Sequence, residues 1–203
     1  MLISVIAWFS FSLKFYLTTG QAINFFSYFT ILSNLLVAIS TIFYGLAPGS
    51  TIGQFFCRLS IQSAVTLYIF IVGLVYNLVL KGIWDPTGWQ LVVDNLLHVV
   101  VPLLYVIFWL LCSTAGTLEW RTGIYWLLFP LLYLVYSLVR GKLVNWYPYP
   151  FLDAGQLGYQ QVTVNSLLML LAFLVVAMLV IGVARFKRRR YQLPAVQESG
   201  LPH

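Results

Sequence analysis

A carboxylate and an imidazole stand four residues apart in an apolar stretch: Asp94 and His98, followed at the same spacing by Pro102, with Asn95 beside them. An i, i+4 step keeps all three on one face of a helix. Earlier in the chain Asn24, Ser27, Thr30 and Asn34 follow at spacings of three, three and four, which predicts a second polar face on another helix. A threonine hydroxyl is a weak nucleophile and needs a base within hydrogen-bond reach. His98 is the one histidine in the apolar segments, since His203 is the last residue, and imidazole is the side chain that exchanges a proton near neutral pH. Apolar surroundings favour the neutral form of an imidazole. Asp94 can accept from the ring and fix its tautomer, as the third member of a triad does. Asn34, one turn from Thr30, can donate to a developing oxyanion. The chemistry within reach is attack by Thr30 on an ester, an acyl-threonine intermediate, and its release by water activated by His98. It requires no cofactor. Cys57 and Cys112 are isolated and make no metal motif, so no metal is expected.

Each of these residues also has a plainer use. A threonine in a membrane helix commonly bonds the carbonyl one turn back, here Phe26, and only bends the helix. His98 can be a satisfied packing residue and Asp94 an interfacial charge with access to water. Arg140 reads more readily as an interfacial anchor than as a ligand, and the stripe Tyr133, Tyr136 and Ser137 beneath it reads as packing. An ionisable group inside a membrane helix is nevertheless a functional candidate by default.

The elements that must position these residues follow from composition. The chain has 203 residues, 61% apolar and only 8% charged, against about a quarter charged in a typical soluble domain. So few charges cannot cover a water-facing surface, which excludes a soluble globular enzyme. Apolar runs recur along the whole sequence and predict an all-α polytopic membrane protein, with six transmembrane helices in one bundle at about residues 2–18, 25–46, 58–80, 91–113, 122–140 and 160–184. Residues 1–184 form that domain, and 185–203 form a basic tail expected to be disordered. The first segment is short and interrupted by Lys14, which is expected to snorkel to an interface. It lacks a positive n-region and a clear cleavage site, so it is not read as a secretory signal. A start codon placed after the true start would account for its length. Pro102 and Pro130 each free a carbonyl one turn earlier, and both prolines are expected to face the bundle interior.

Six helices put both termini on one side. That side carries Arg58, Arg121 and the five basic residues of 185–190, seven in all, and the other carries Lys14, Lys81, Arg140 and Lys142. The excess predicts a multi-pass protein of the cell membrane with both termini in the cytoplasm. The basic cluster is read as a topology signal and a ligand for anionic headgroups, not as a nucleic-acid site. Trp84, Trp89, Trp146, Tyr147, Tyr149 and Phe151 are candidates for an aromatic belt on the opposite side, and 141–158 is expected to form a partly buried cap there. The second and fourth helices run in the same direction, so Thr30 and His98 reach similar depth, on the order of 10 Å below the interface. Asn77 and Arg140, late in the antiparallel third and fifth helices, arrive at the same level as possible substrate contacts.

The runs Phe29-Thr30-Ile31-Leu32-Ser33-Asn34, Trp84-Asp85-Pro86-Thr87-Gly88, Asp94-Asn95-Leu96-Leu97-His98-Val99-Val100-Val101-Pro102 and Asn145-Trp146-Tyr147-Pro148-Tyr149-Pro150-Phe151-Leu152-Asp153 resemble a bacterial family of six-helix integral membrane proteins. That family is similar, more distantly, to the eukaryotic androgen-induced and androgen-dependent membrane proteins, which are threonine-dependent hydrolases of fatty acid esters of hydroxy fatty acids. Their pattern pairs an early-helix threonine with a later histidine, and the matching positions here are Thr30 and His98. The resemblance implies an intramembrane lipid-ester hydrolase with a lipid or lipid-ester substrate. The alternative is a non-enzymatic lipid- or solute-binding protein or transporter using the same pocket, with Asp94 and His98 as a proton site. A structural assembly partner is a third reading.

Overall fold

A computed structural model describes residues 1–18, 22–83, 85–113 and 116–191. It is all-α among the described residues, and five helices are long and apolar enough to cross a membrane. The first helix, α1 (Leu2–Leu17), has 16 residues and spans about 24 Å at 1.5 Å per residue. It nonetheless packs into the bundle along Ser4, Ala7 and Ser10, all nearly inaccessible. Small residues at this spacing let two helix backbones approach closely, and Ser4 Oγ donates to the Ala38 carbonyl at 3.4 Å.

The second predicted helix is two. Helix α2 (Ala22–Phe26) ends, Tyr28 turns extended at φ −84°, ψ 128°, and α3 (Phe29–Leu46) begins. A short α4 (Thr51–Cys57), capped by the Ser50 side chain, leads to α5 (Leu59–Val75). This helix widens into a π turn at Tyr76–Leu80. The fourth span is α6 (Gly88–Asn95), a second π turn (Leu96–Val100) and α7 (Val101–Cys112). Helix α8 (Thr122–Trp126) passes into α9 (Leu128–Val144), which ends at Asn145 in the left-handed conformation. Segment 145–153 crosses the end of the bundle, and α10 (Ala154–Tyr191), kinked at Gly158, returns across it.

The last helix continues through the basic run to Tyr191 instead of stopping near 184. Three of its cations bond within the protein. Lys187 Nζ reaches the Trp109 and Ser113 carbonyls and Ser113 Oγ, Arg185 the Leu118 carbonyl, and Arg188 the Thr117 hydroxyl. A cation at the C-terminus of α7 also meets the negative end of the helix dipole. Arg189, Arg190 and residues 192–203 lie outside the side chains described, as does Trp84.

Both prolines behave as their chemistry requires. Pro130 frees the Trp126 carbonyl, which accepts from the Tyr68 hydroxyl at 2.8 Å. Pro102 is buried and frees the His98 carbonyl, which lies against Gly73; a Cβ there would sit 3.2 Å from that oxygen. The core beneath these points is filled by Val37, Leu67, Val101, Tyr105 and Trp109, with Tyr105 bonded to Ser40 and Trp109 to Ser63.

Candidate functional site

Thr30 stands in the first turn of α3, directly after the break at Ser27 and Tyr28. The break has local causes: Ser27 Oγ bonds the Ile23 carbonyl at 2.6 Å, and the Ser27 and Tyr28 amides close tight turns on Asn24 and Phe25. Amides at a helix start lack partners within the helix. That of Thr30 is taken by the Tyr149 hydroxyl at 3.2 Å, and the same phenol lies 3.2 Å from Thr30 Oγ1. Asn24 and Ser27 therefore do not continue the face of Thr30; only Asn34 does.

His98 sits in the π turn of the fourth span, a distortion frequent at functional sites. Its ring stacks on Tyr76, from the π turn of α5, at 4.1 Å between centroids and 13° between planes. The ring Nε2 lies 3.4 Å from Thr30 Oγ1. On the other side Nδ1 is 2.9 Å from the Asp94 carbonyl and 3.4 Å from Asp94 Oδ1. Nδ1 thus faces acceptors only and carries the proton, leaving the Nε2 lone pair toward the threonine. Asp94 is buried, and its Oδ2 has no hydrogen-bond partner.

The other expected site residues take different places. Asn34 is fully buried, and its amide donates to the Thr30 carbonyl at 2.9 Å and the Leu97 carbonyl at 3.2 Å. It clamps α3 to the fourth span and has no hydrogen left for an oxyanion. Asn77 is exposed on the bundle surface and bonds its own helix at the Gly73 carbonyl. Arg140 bonds Asn24 Oδ1 at 2.5 Å and lies over the Trp146 ring at 4.8 Å, so it anchors the crossing segment. Neither Asn77 nor Arg140 lines the two cavities described below. Lys14, expected to snorkel to an interface, lies in the last turn of α1 beside the start of α6. It is half-buried, bonds Gln90 Oε1 at 3.2 Å and faces the larger cavity.

The crossing segment forms the cap that its aromatic content predicts. Tyr28 meets Trp146 and Tyr149 edge-on at 5.7 and 5.8 Å, and Tyr149 stacks on Phe151. The Tyr149 phenol is held above its ordinary range by burial, so it keeps its proton and remains a donor. Read from the sequence as a belt aromatic, it is the site residue the spacing did not reveal. Two prolines flank it, Pro148 and Pro150, and only the folded chain shows where they aim its hydroxyl.

Two cavities meet at this cluster, and Leu80, Thr30, His98 and Tyr149 line both. The larger, about 800 Å³, is walled by α1, α6 and the cap and carries Lys14, Gln90, Asp94, Asp153 and Gln156. The smaller, about 90 Å³, is apolar and lies toward α9 and α10. Among the described residues no three His, Cys, Asp or Glu side chains gather around a common point that could hold a metal ion. No family model, curated protein or solved structure matches this chain.

Proposed function

We propose that this protein is an intramembrane lipid-ester hydrolase with Thr30 as nucleophile and His98 as base. The observation that supports the reading most is the run from Thr30 Oγ1 to His98 Nε2 at 3.4 Å and from His98 Nδ1 to the Asp94 backbone carbonyl at 2.9 Å, with the Asp94 carboxylate at 3.4 Å, at the junction of two cavities. Thr30 Oγ1 attacks the ester carbonyl carbon while its proton passes to His98 Nε2. The Asp94 backbone carbonyl accepts from Nδ1, and the Asp94 carboxylate 3.4 Å away stabilises the imidazolium. The Tyr149 hydroxyl, 3.2 Å from Thr30 Oγ1, is the donor for the developing oxyanion. Collapse breaks the bond to the alcohol oxygen, which takes the proton from His98. Water then gives its proton to His98 and attacks the acyl-threonine, releasing the acid and restoring the hydroxyl.

The resemblance to threonine-dependent hydrolases names fatty acid esters of hydroxy fatty acids as the substrate class. The basic-residue count supports a cell-membrane protein with cytoplasmic termini, which places the cap and both cavities at the outer leaflet. Transport fits less well, because packed Val37, Val101 and Tyr105 fill the bundle core and leave no through-path there.

Hydrolysis of a long-chain ester by the reconstituted protein tests the reading. Thr30→Ala and His98→Ala should each abolish most turnover, and the double variant should lose little more, because a catalytic pair acts as a unit. Full activity in Thr30→Ala would end it.

A further inference from the structure

The smaller cavity has features that a catalytic dyad alone does not require. Pro130, Leu131 and Leu134 of α9 and Met169, Leu170 and Phe173 of α10 form its walls. The two hydroxyls in those walls outside the dyad and Tyr149 are bonded elsewhere: Ser166 Oγ to the Val162 carbonyl, and Tyr133 to the Ser27 carbonyl. The cavity is not fully enclosed, and Leu131 in its wall is 40% exposed. On the same two helices Leu128, Leu132, Leu167 and Leu171 are exposed, all on spans long enough to cross a bilayer. An opening between two such spans faces hydrocarbon. The larger cavity, by contrast, carries charges and amides.

We propose that the pocket between α9 and α10 is an acyl-chain site open to the bilayer, and that the alcohol half of the ester occupies the polar chamber. The proposal rests on the hydrolase reading for the identity of the ester, and its geometry stands apart from the chemistry. A volume of 90 Å³ accommodates about six to nine methylene-sized groups at roughly 10–15 Å³ each. The carbons next to the carbonyl are gripped and the rest of the chain stays in lipid. Acyl length is then unrestricted, and branching close to the carbonyl is rejected.

Photolabelling separates this site from the reaction. The probe is a palmitic acid methyl ester with a diazirine on its fourth carbon, presented to full-length Thr30→Ala in phosphatidylcholine vesicles. Labels should concentrate on Pro130, Leu134, Met169, Leu170 and Phe173, and Met169→Trp should reduce them at least fivefold. Leu171→Trp, on the lipid-facing side, should leave them in place. Leu134→Phe fills the pocket from α9 and serves if the tryptophan variant does not fold. In the hydrolysing protein Met169→Trp should lower the preference for a decanoyl over an acetyl p-nitrophenyl ester at least tenfold. Labels spread over the exposed leucines and unmoved by either filling variant would overturn the acyl site. Labelling as expected in a protein without any esterase activity would keep the site and remove the hydrolase reading.

Discussion

At the scale of single residues, the phenol of Tyr149 separates packing from chemistry. It accepts from the Thr30 amide and lies 3.2 Å from the Thr30 hydroxyl, so Tyr149→Phe keeps the ring and its stack on Phe151 while deleting one donor. The expected loss is about 10²–10³-fold in kcat with little change in KM, the usual effect of removing one oxyanion donor. A variant with unchanged kcat in steady-state assays would confine Tyr149 to the cap. Thr30, Asn34, Asp94 and His98 are all legible from spacing, because a helical period converts sequence separation into a shared face. Their division of labour is not. Asn34 is one turn from Thr30, as the spacing says, but its amide answers two backbone carbonyls. Lys14 reads as a snorkelling cation because its partner Gln90 lies 76 residues away.

At the scale of elements, the break before α3 and the two π turns position Thr30, Tyr76 and His98. Hydropathy runs smoothly through 25–46 and cannot register the break, whose completion depends on a hydroxyl 119 residues further along. Proline positions are more informative, since each marks a carbonyl that needs a partner, and Trp126 finds Tyr68. The cap depends on one close approach. A Cβ on Gly141 would lie 2.0 Å from the Tyr147 ring, so only glycine lets the cap settle on the end of α9. Gly141→Ala should cost about 1–3 kcal/mol as an overpacked contact and lift the segment that carries Tyr149. Hydrogen exchange over 145–153 should accelerate and esterase activity should fall with it. Unchanged protection there would show that the cap is held without this contact.

For the whole molecule, composition alone implies a bundle of membrane helices, and the common direction of the second and fourth spans brings Thr30 and His98 to one depth. Neither reveals that α1 walls the polar chamber or that a second pocket opens between α9 and α10, since both depend on how helices turn about their axes. The excess of basic residues on the side of the termini favours cytoplasmic termini: a reporter active only outside the cytoplasm, fused after His203, should be silent, and a bright signal would reverse the leaflet assignment.

Covalent labelling asks whether Thr30 is the residue that takes the acyl group. Incubation with a long-chain fluorophosphonate, followed by intact-mass measurement and peptide mapping, should show one adduct on Thr30. The adduct should persist in Thr30→Ser and disappear in Thr30→Ala and His98→Ala. An adduct on another residue, or equal labelling of Thr30→Ala, would contradict the account.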